Sequence, residues 1–93
     1  MTQDMRNRVV LITGGARGMG HETALMLGQM GAHVIIADWE GEAGTRTRDQ
    51  INAVGPGRAE YRYCDLSSLA EVREFAGWVL AKHDRLDVLI NNA

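Results

Sequence analysis

Cysteine, proline and lysine each occur once in this chain of 93 residues, as Cys64, Pro56 and Lys82. A lone cysteine excludes an internal disulfide and a cysteine-based metal cluster. His21, His33 and His83 are scattered without ligand spacing, so no metal site is expected. The basic residues are almost all arginine, they form no run, and the formal net charge is -2. A nucleic-acid footprint is therefore not indicated. No apolar stretch approaches the roughly 18 residues that a membrane span needs. Met1 to Arg8 is polar and lacks the apolar region of a secretory signal. These absences lead to the expectation of a cytoplasmic domain with neither a membrane nor a nucleic-acid partner. A chain this short buries only about 60–65% of its unfolded surface, so its core is thin.

What the chain does have is a glycine-rich turn behind an apolar run. Val9 to Thr13 has the look of a buried parallel strand. Gly14, Gly18 and Gly20 then let the backbone turn tightly and approach a ligand closely. A helix follows from about Gly18 to Met30, with Gly31 where a C-terminal cap is expected. Free N–H groups and the positive end of the helix dipole would meet just after the turn, which suits a diphosphate.

The same alternation continues. His33 to Asp38 reads as a second strand and Gly41 to Val54 as a polar surface helix, ended by Gly55-Pro56-Gly57. Arg58 to Cys64 reads as a third strand. Ser68-Leu69-Ala70-Glu71 is a capping box for a third helix. In it Leu69, Val72, Phe75, Ala76, Val79 and Leu80 recur at helical spacing. Leu86 to Ile90 reads as a fourth strand. Strands alternating with helices imply an α/β fold, a doubly wound parallel sheet of Rossmann type. With four strands and three helices the expected order is 3-2-1-4. The first two helices then lie on one face, the third lies on the other, and a crevice opens above strands one and four.

Thr13-Gly14-Gly15-Ala16-Arg17-Gly18-Met19-Gly20 resembles the Thr-Gly-x-x-x-Gly-x-Gly turn of the short-chain dehydrogenase/reductase family. Asp87-Val88-Leu89-Ile90-Asn91-Asn92-Ala93 resembles that family's fourth-strand motif, cut just before its usual final glycine. The resemblance covers about residues 8 to 93 and implies the N-terminal, cofactor-binding half of an NAD(P)-dependent oxidoreductase. Complete members transfer hydride between nicotinamide and an alcohol or carbonyl carbon. Cys64 to Leu69 with Val72 to Ala76 is also similar to the retinol-dehydrogenase-like branch.

In this frame the turn, with Gly14, Ala16, Arg17, Gly18, Met19 and Gly20, would hold the dinucleotide. Asp38 follows Gly20 by 18 residues, near the roughly 20 at which a Rossmann acid bonds the adenosine ribose. A carboxylate there also repels a 2′-phosphate, which favours NAD over NADP. Arg17 points the other way, because the resemblance implies that a basic residue in this turn often accompanies NADP; it could equally be solvated or paired with Asp38. Trp39 either flanks the adenine or packs on the protein surface. The resemblance gives Asp65 and Leu66 contacts to the adenine. Asn91, Asn92 and Ala93 would lie beside a ribose, mainly through backbone groups. Thr13 is expected to steady the glycine turn through its hydroxyl, and Cys64 to be a small buried hydrophobe.

The family's Tyr-x-x-x-Lys pair is not in these residues. Trp78 stands four before Lys82, and Tyr61 and Tyr63 are followed at four by Asp65 and Ser67. The resemblance also calls for a catalytic serine and a further asparagine, and no residue can be assigned either role. As that cofactor-binding half, the chain alone is expected to give no turnover; the alternative is a non-catalytic dinucleotide-binding or partner-binding module. Its fourth strand would be an exposed apolar edge, so self-association is expected.

Overall fold

The computed structural model describes residues 4–92. Ala93 lies outside the described residues. The elements are β1 (Val9–Thr13), α1 (Gly18–Gln29), β2 (His33–Asp38), α2 (Gly41–Val54), β3 (Arg58–Tyr63), α3 (Leu69–Lys82) and β4 (Val88–Asn91). All strand pairs are parallel and the order is β3-β2-β1-β4. This is the α/β, Rossmann-type arrangement expected from the alternation of strands and helices.

Alternation along the strands divides the core in two. Val10 and Ile12 of β1, with Val34 and Ile36 of β2, face α1 and α2, where they meet Ala24 and Ile51. Ile35 and Ala37 face the other way, onto Cys64, Phe75 and Val79. Val34, Ile35 and Ile36 are fully buried, as a central parallel strand covered on both faces requires. Cys64 is buried and burial pushes its thiol above the usual range. It is the inert small hydrophobe expected from the sequence.

Helix α2 lies against α1 at a close crossing. A Cβ on Gly28 would stand 2.7 Å from the Ile51 side chain, so only glycine lets the two axes approach this far. Phe75 and Trp78 of α3 meet at 5.7 Å between ring centroids, and the Arg62 guanidinium lies 5.0 Å over the indole. Half of the helical pattern expected in α3 finds no cover. Leu69 and Leu80 are 65% and 78% exposed, as is Leu89 of β4 at 60%. The α3 side of the sheet is covered over β2 and left open over β4.

Several boundaries differ from expectation. Helix α1 stops at Gln29, because Met30 already takes up the cap geometry and Gly31 follows at φ +96°. Strand β3 stops at Tyr63. Strand β4 begins at Val88 and runs on to Asn91, paired with Thr13. Just before it, Asp87 is joined to Val9 twice: its N–H donates to the Val9 carbonyl at 2.9 Å and its carboxylate accepts the Val9 N–H at 2.7 Å. The capping box forms by halves. Ser68 Oγ accepts the Glu71 N–H at 3.3 Å, but the Glu71 carboxylate turns to the Asp65 N–H instead, also at 3.3 Å.

The histidines are not scattered in space. His33, at the start of β2, and His83, just after α3, stand with ring centroids 5.0 Å apart. Linear spacing hides this, because it is set by parallel register and by where a helix ends.

Candidate functional site

The C-terminal ends of the strands converge on the turn between β1 and α1. Gly14 and Gly18 take φ +71° and +57°, conformations that cost an L side chain about 1–2 kcal/mol. Gly20 is required for a different reason. A Cβ built there would overlap the Gly14 carbonyl oxygen and stand 2.6 Å from Asn92 Nδ2. The turn thus closes on itself, its backbone laid against the first turn of α1.

That first turn is left open. Arg17 is its N-cap, in extended conformation, and makes no side-chain cap bond; no acidic residue stands in the first turn. Helix starts ordinarily satisfy their free N–H groups with a capping side chain. Here the positive end of the dipole is offered to whatever occupies the space above Gly18, where, among the described residues and apart from its chain neighbours and its own helix backbone, no atom lies within 4 Å of a built Cβ. This is the donor set that an anionic diphosphate fits.

Asp38 ends β2 beside the turn and is 9% exposed. One oxygen accepts the Ala16 N–H at 3.1 Å and the other the Glu40 N–H at 3.0 Å. It therefore braces the turn as well as presenting charge. Arg17 pairs with Glu40 rather than with Asp38. The sequence offered no such partner; Asp38 is occupied by two backbone donors, and Glu40 is the next carboxylate along the rim.

A pocket of about 360 Å³ opens between the ends of β2 and β3 and brings together Gly14, Asp38, Trp39, Asp65 and Leu66. Trp39 is 65% exposed on its rim. Asp65 Oδ1 accepts the Ser67 N–H at 3.0 Å and the Ser67 hydroxyl at 2.7 Å. The Ser67 hydroxyl, then its backbone N–H, hold the Asp65 carboxyl below the usual range. Met19 stands exposed beside the turn. Asn91 and Asn92 lie at the β4 side of the turn, outside this pocket, with Asn92 Nδ2 donating to the Gly14 carbonyl at 3.2 Å.

Thr13 acts elsewhere than expected. Its hydroxyl bonds Asn91 Oδ1 at 3.0 Å and accepts the Asn92 N–H at 3.1 Å. It ties β1 to β4 instead of steadying the glycine turn, because the paired end of β4 lies nearer. Two supporting residues carried no motif. Thr47 is fully buried, and its hydroxyl reaches the carbonyls of Ala43 at 3.1 Å and Ala16 at 3.4 Å and the His21 ring at 2.8 Å. Tyr61 lies over Gly44, and its hydroxyl donates to the Asp38 carbonyl at 2.8 Å. Burial, then the nearby Asp38 charge, push the phenol above its usual range, which keeps it a donor.

The chain matches the family model described as short chain dehydrogenase over residues 8–93. It is 41% identical over 91 residues to the polyprenol dehydrogenase of Danio rerio, covering 97% of this chain and 28% of that protein. Among solved structures, the Pseudomonas aeruginosa RhlG/NADP active-site complex superposes with a TM-score of 0.87 at 37% identity, over 97% of this chain and 36% of that one. A metagenomic short-chain oxidoreductase in complex with NADP gives 0.90 at 39% identity, over 96% and 40%. The chain thus spans roughly a third of the length of the proteins it matches. The matches give the family and do not distinguish its retinol-dehydrogenase-like branch. With the β3-β2-β1-β4 sheet, the uncapped helix behind the glycine turn and a match over nearly the whole chain, this chain belongs to the short-chain dehydrogenase/reductase family.

Proposed function

We propose that these residues form the adenosine and diphosphate side of a nicotinamide dinucleotide site, in an oxidoreductase that moves hydride between nicotinamide and an alcohol or carbonyl carbon. The observation that carries this is the uncapped N-terminus of α1, set beside a pocket shared by Gly14, Asp38 and Asp65. The bound dinucleotide would supply the hydride chemistry. The chain's own part is to hold it: N–H groups of Gly18, Met19 and Gly20 for the diphosphate, Asp38 for the ribose, Asp65 and Leu66 for the adenine. Asn91 and Asn92 would approach the adenosine or the nicotinamide ribose.

The preferred cofactor on this reading is NAD. The Asp38 carboxylate faces the position where NADP carries a further phosphate, and the cation that could offset it, Arg17, is already paired with Glu40. The two NADP complexes among the similar structures make this the point at which the chain would depart from them. None of the four catalytic positions falls in these 93 residues. A missing general acid alone removes about 10²–10⁴ in rate, so the chain by itself gives no turnover. No helix among the described residues is long and apolar enough to cross a membrane, and a cytoplasmic location is part of the proposal.

A second reading has its own observation. With Leu89 exposed on β4, an edge strand of the sheet, and Leu80 of α3 exposed as well, the chain has an uncovered apolar edge. In the chain alone, a second copy would cover it and the chain would self-associate.

Calorimetry with NAD, ADP-ribose and NADP tests the main reading. NAD and ADP-ribose should bind alike and NADP at least about tenfold more weakly, the ordinary reach of one unfavourable charge contact. Absence of heat with all three would refute it. An NADH assay against a panel of carbonyls should stay at background; activity proportional to protein would refute the inactivity.

A further inference from the structure

At the end of the sheet away from the glycine turn, three elements deliver one side chain each to the same point. His33 opens β2. Glu60 lies on β3, in register with Ile35 and hence on the face that looks toward α3. His83 caps α3. His33 Nε2 is 2.6 Å and His83 Nε2 3.0 Å from the same carboxylate oxygen, Glu60 Oε1. The three side chains are 23%, 13% and 17% exposed for His33, His83 and Glu60. Lys82 pairs with the other oxygen, Oε2. A pocket of about 590 Å³ opens over the group, larger than the one at the glycine turn.

A carboxylate oxygen can accept two N–H bonds, so the donor count alone is ordinary; the convergence of two imidazoles is what sets the group apart. Here both imidazoles present the same ring nitrogen to one oxygen, while the lysine leaves that oxygen alone. We propose that His33, Glu60 and His83 form a site for a divalent cation of borderline softness, Zn²⁺ in the first place. The cation is held by two Nε2 atoms and Oε1, with water from the pocket as fourth ligand. Imidazole and carboxylate are zinc donors, and the same two-histidine, one-glutamate set with an open position holds zinc in known enzymes.

The three ligand atoms lie within 4.8 Å of one another. Tetrahedral zinc with bonds of about 2.0–2.2 Å sets its ligands about 3.3–3.5 Å apart. From 2.6 and 3.0 Å, the His33 distance opens by about 0.7–0.9 Å and the His83 distance by about 0.3–0.5 Å, which side-chain rotation supplies. Lys82 stays on Oε2 and fixes the carboxylate from behind, as outer partners of metal ligands do. Proton balance is simple. A ring protonated at Nε2 alone shifts that proton to Nδ1, and a doubly protonated ring releases one to solvent, so acid opposes binding. Lys82 and Arg58, both on the pocket wall, repel the cation and weaken its binding. The bound ion fastens the end of α3 to β2 and β3 and shares no residue with the proposed dinucleotide site.

The test is a calorimetric titration of the full chain with Zn²⁺ near neutral pH in a non-coordinating buffer. One ion per chain is expected, weakened at least about tenfold in each of His33→Gln, Glu60→Gln and His83→Gln. A variant that unfolds would also lose the ion, so the unaltered chain carries an independent readout. Proton–nitrogen NMR of the imidazole rings should show Zn²⁺ moving the Nε2 signals of His33 and His83 while leaving His21, which is held on Thr47, in place. No heat with no ring shifts, or undiminished binding in all three variants with His21 moving, would overturn the assignment.

Discussion

Gly18→Ala and Gly20→Ala change neighbouring glycines of one motif by one methyl group each, and they should fail in different ways. At Gly20 the new Cβ overlaps the Gly14 carbonyl oxygen and stands 2.6 Å from Asn92 Nδ2, where real Cβ contacts under 3.0 Å are essentially never seen. The first obstacle is backbone and cannot rotate away. Overpacking costs about 1–3 kcal/mol, and two obstacles at one methyl place Gly20→Ala near about 3 kcal/mol. At Gly18 the methyl meets nothing within 4 Å. Its cost is the left-handed backbone alone, about 1–2 kcal/mol, less about 0.4–1 kcal/mol returned by a stiffer unfolded chain. The net is about 1 kcal/mol. In a domain of this size 1 kcal/mol moves Tm by about 4–8 °C. Thermal unfolding followed by circular dichroism should therefore show a loss of about 12–24 °C for Gly20→Ala and about 4–8 °C for Gly18→Ala. Binding should divide the other way. On the proposed reading the open space above Gly18 belongs to the diphosphate, so Gly18→Ala weakens ADP-ribose binding at least about tenfold while most of the fold survives. Equal Tm losses, or a more costly Gly18→Ala, would refute the steric argument. Full ADP-ribose affinity in Gly18→Ala would refute the placement of the diphosphate.

The remaining expectations are smaller. Tyr61→Phe removes the bond to the Asp38 carbonyl and should cost about 1 kcal/mol in urea unfolding, with NAD affinity falling because the end of β2 loosens. Thr47→Val leaves the Ala43 carbonyl to the helix but strips the His21 ring and the Ala16 carbonyl of a buried partner. It should cost about 1–2 kcal/mol by the same measurement. The Val9 N–H, opposed by a smaller effect of burial and helped in lesser degree by the Arg85 and Arg8 guanidiniums, holds the Asp87 carboxyl below the usual aspartate range. A depressed carboxyl gives stability that is present above the unfolded value and lost as pH falls through the folded one. Acid titration should therefore show a loss below about pH 4 that is flatter in Asp87→Asn. Leu89→Lys should shift light-scattering mass toward the monomer; an unchanged mass would refute the β4 edge as the self-association face.

How much of this was legible in the sequence depended on how local the cause was. The bounds of β1, β2 and α2 follow from apolar runs and a polar helix punctuated by glycine, and they stand as read. The Arg17 partner was not legible, because it depends on Asp38 having committed both oxygens to backbone donors. Thr47 and Tyr61 support the turn from α2 and β3, and nothing in their own neighbourhoods marks them. Asp87 meets Val9 through both its backbone N–H and its carboxylate, a pairing that no local pattern marks. His33, Glu60 and His83 meet only through parallel register and the length of α3, which no spacing rule for histidine ligands would recover. Periodicity located the apolar stripe of α3, yet its exposed half, Leu69 and Leu80, shows that a stripe specifies a face without supplying what covers it.

The central claim is that the turn at Gly14 to Gly20, Asp38 and the Asp65–Leu66 corner act as one dinucleotide site. Backbone amide chemical-shift mapping of the chain with ADP-ribose tests it most directly. The account predicts saturable shifts at Gly18, Met19, Gly20, Asp38, Trp39, Asp65 and Leu66, with His33, Glu60 and His83 unmoved. Shifts that avoid the turn, or gather at the opposite end of the sheet, would contradict it.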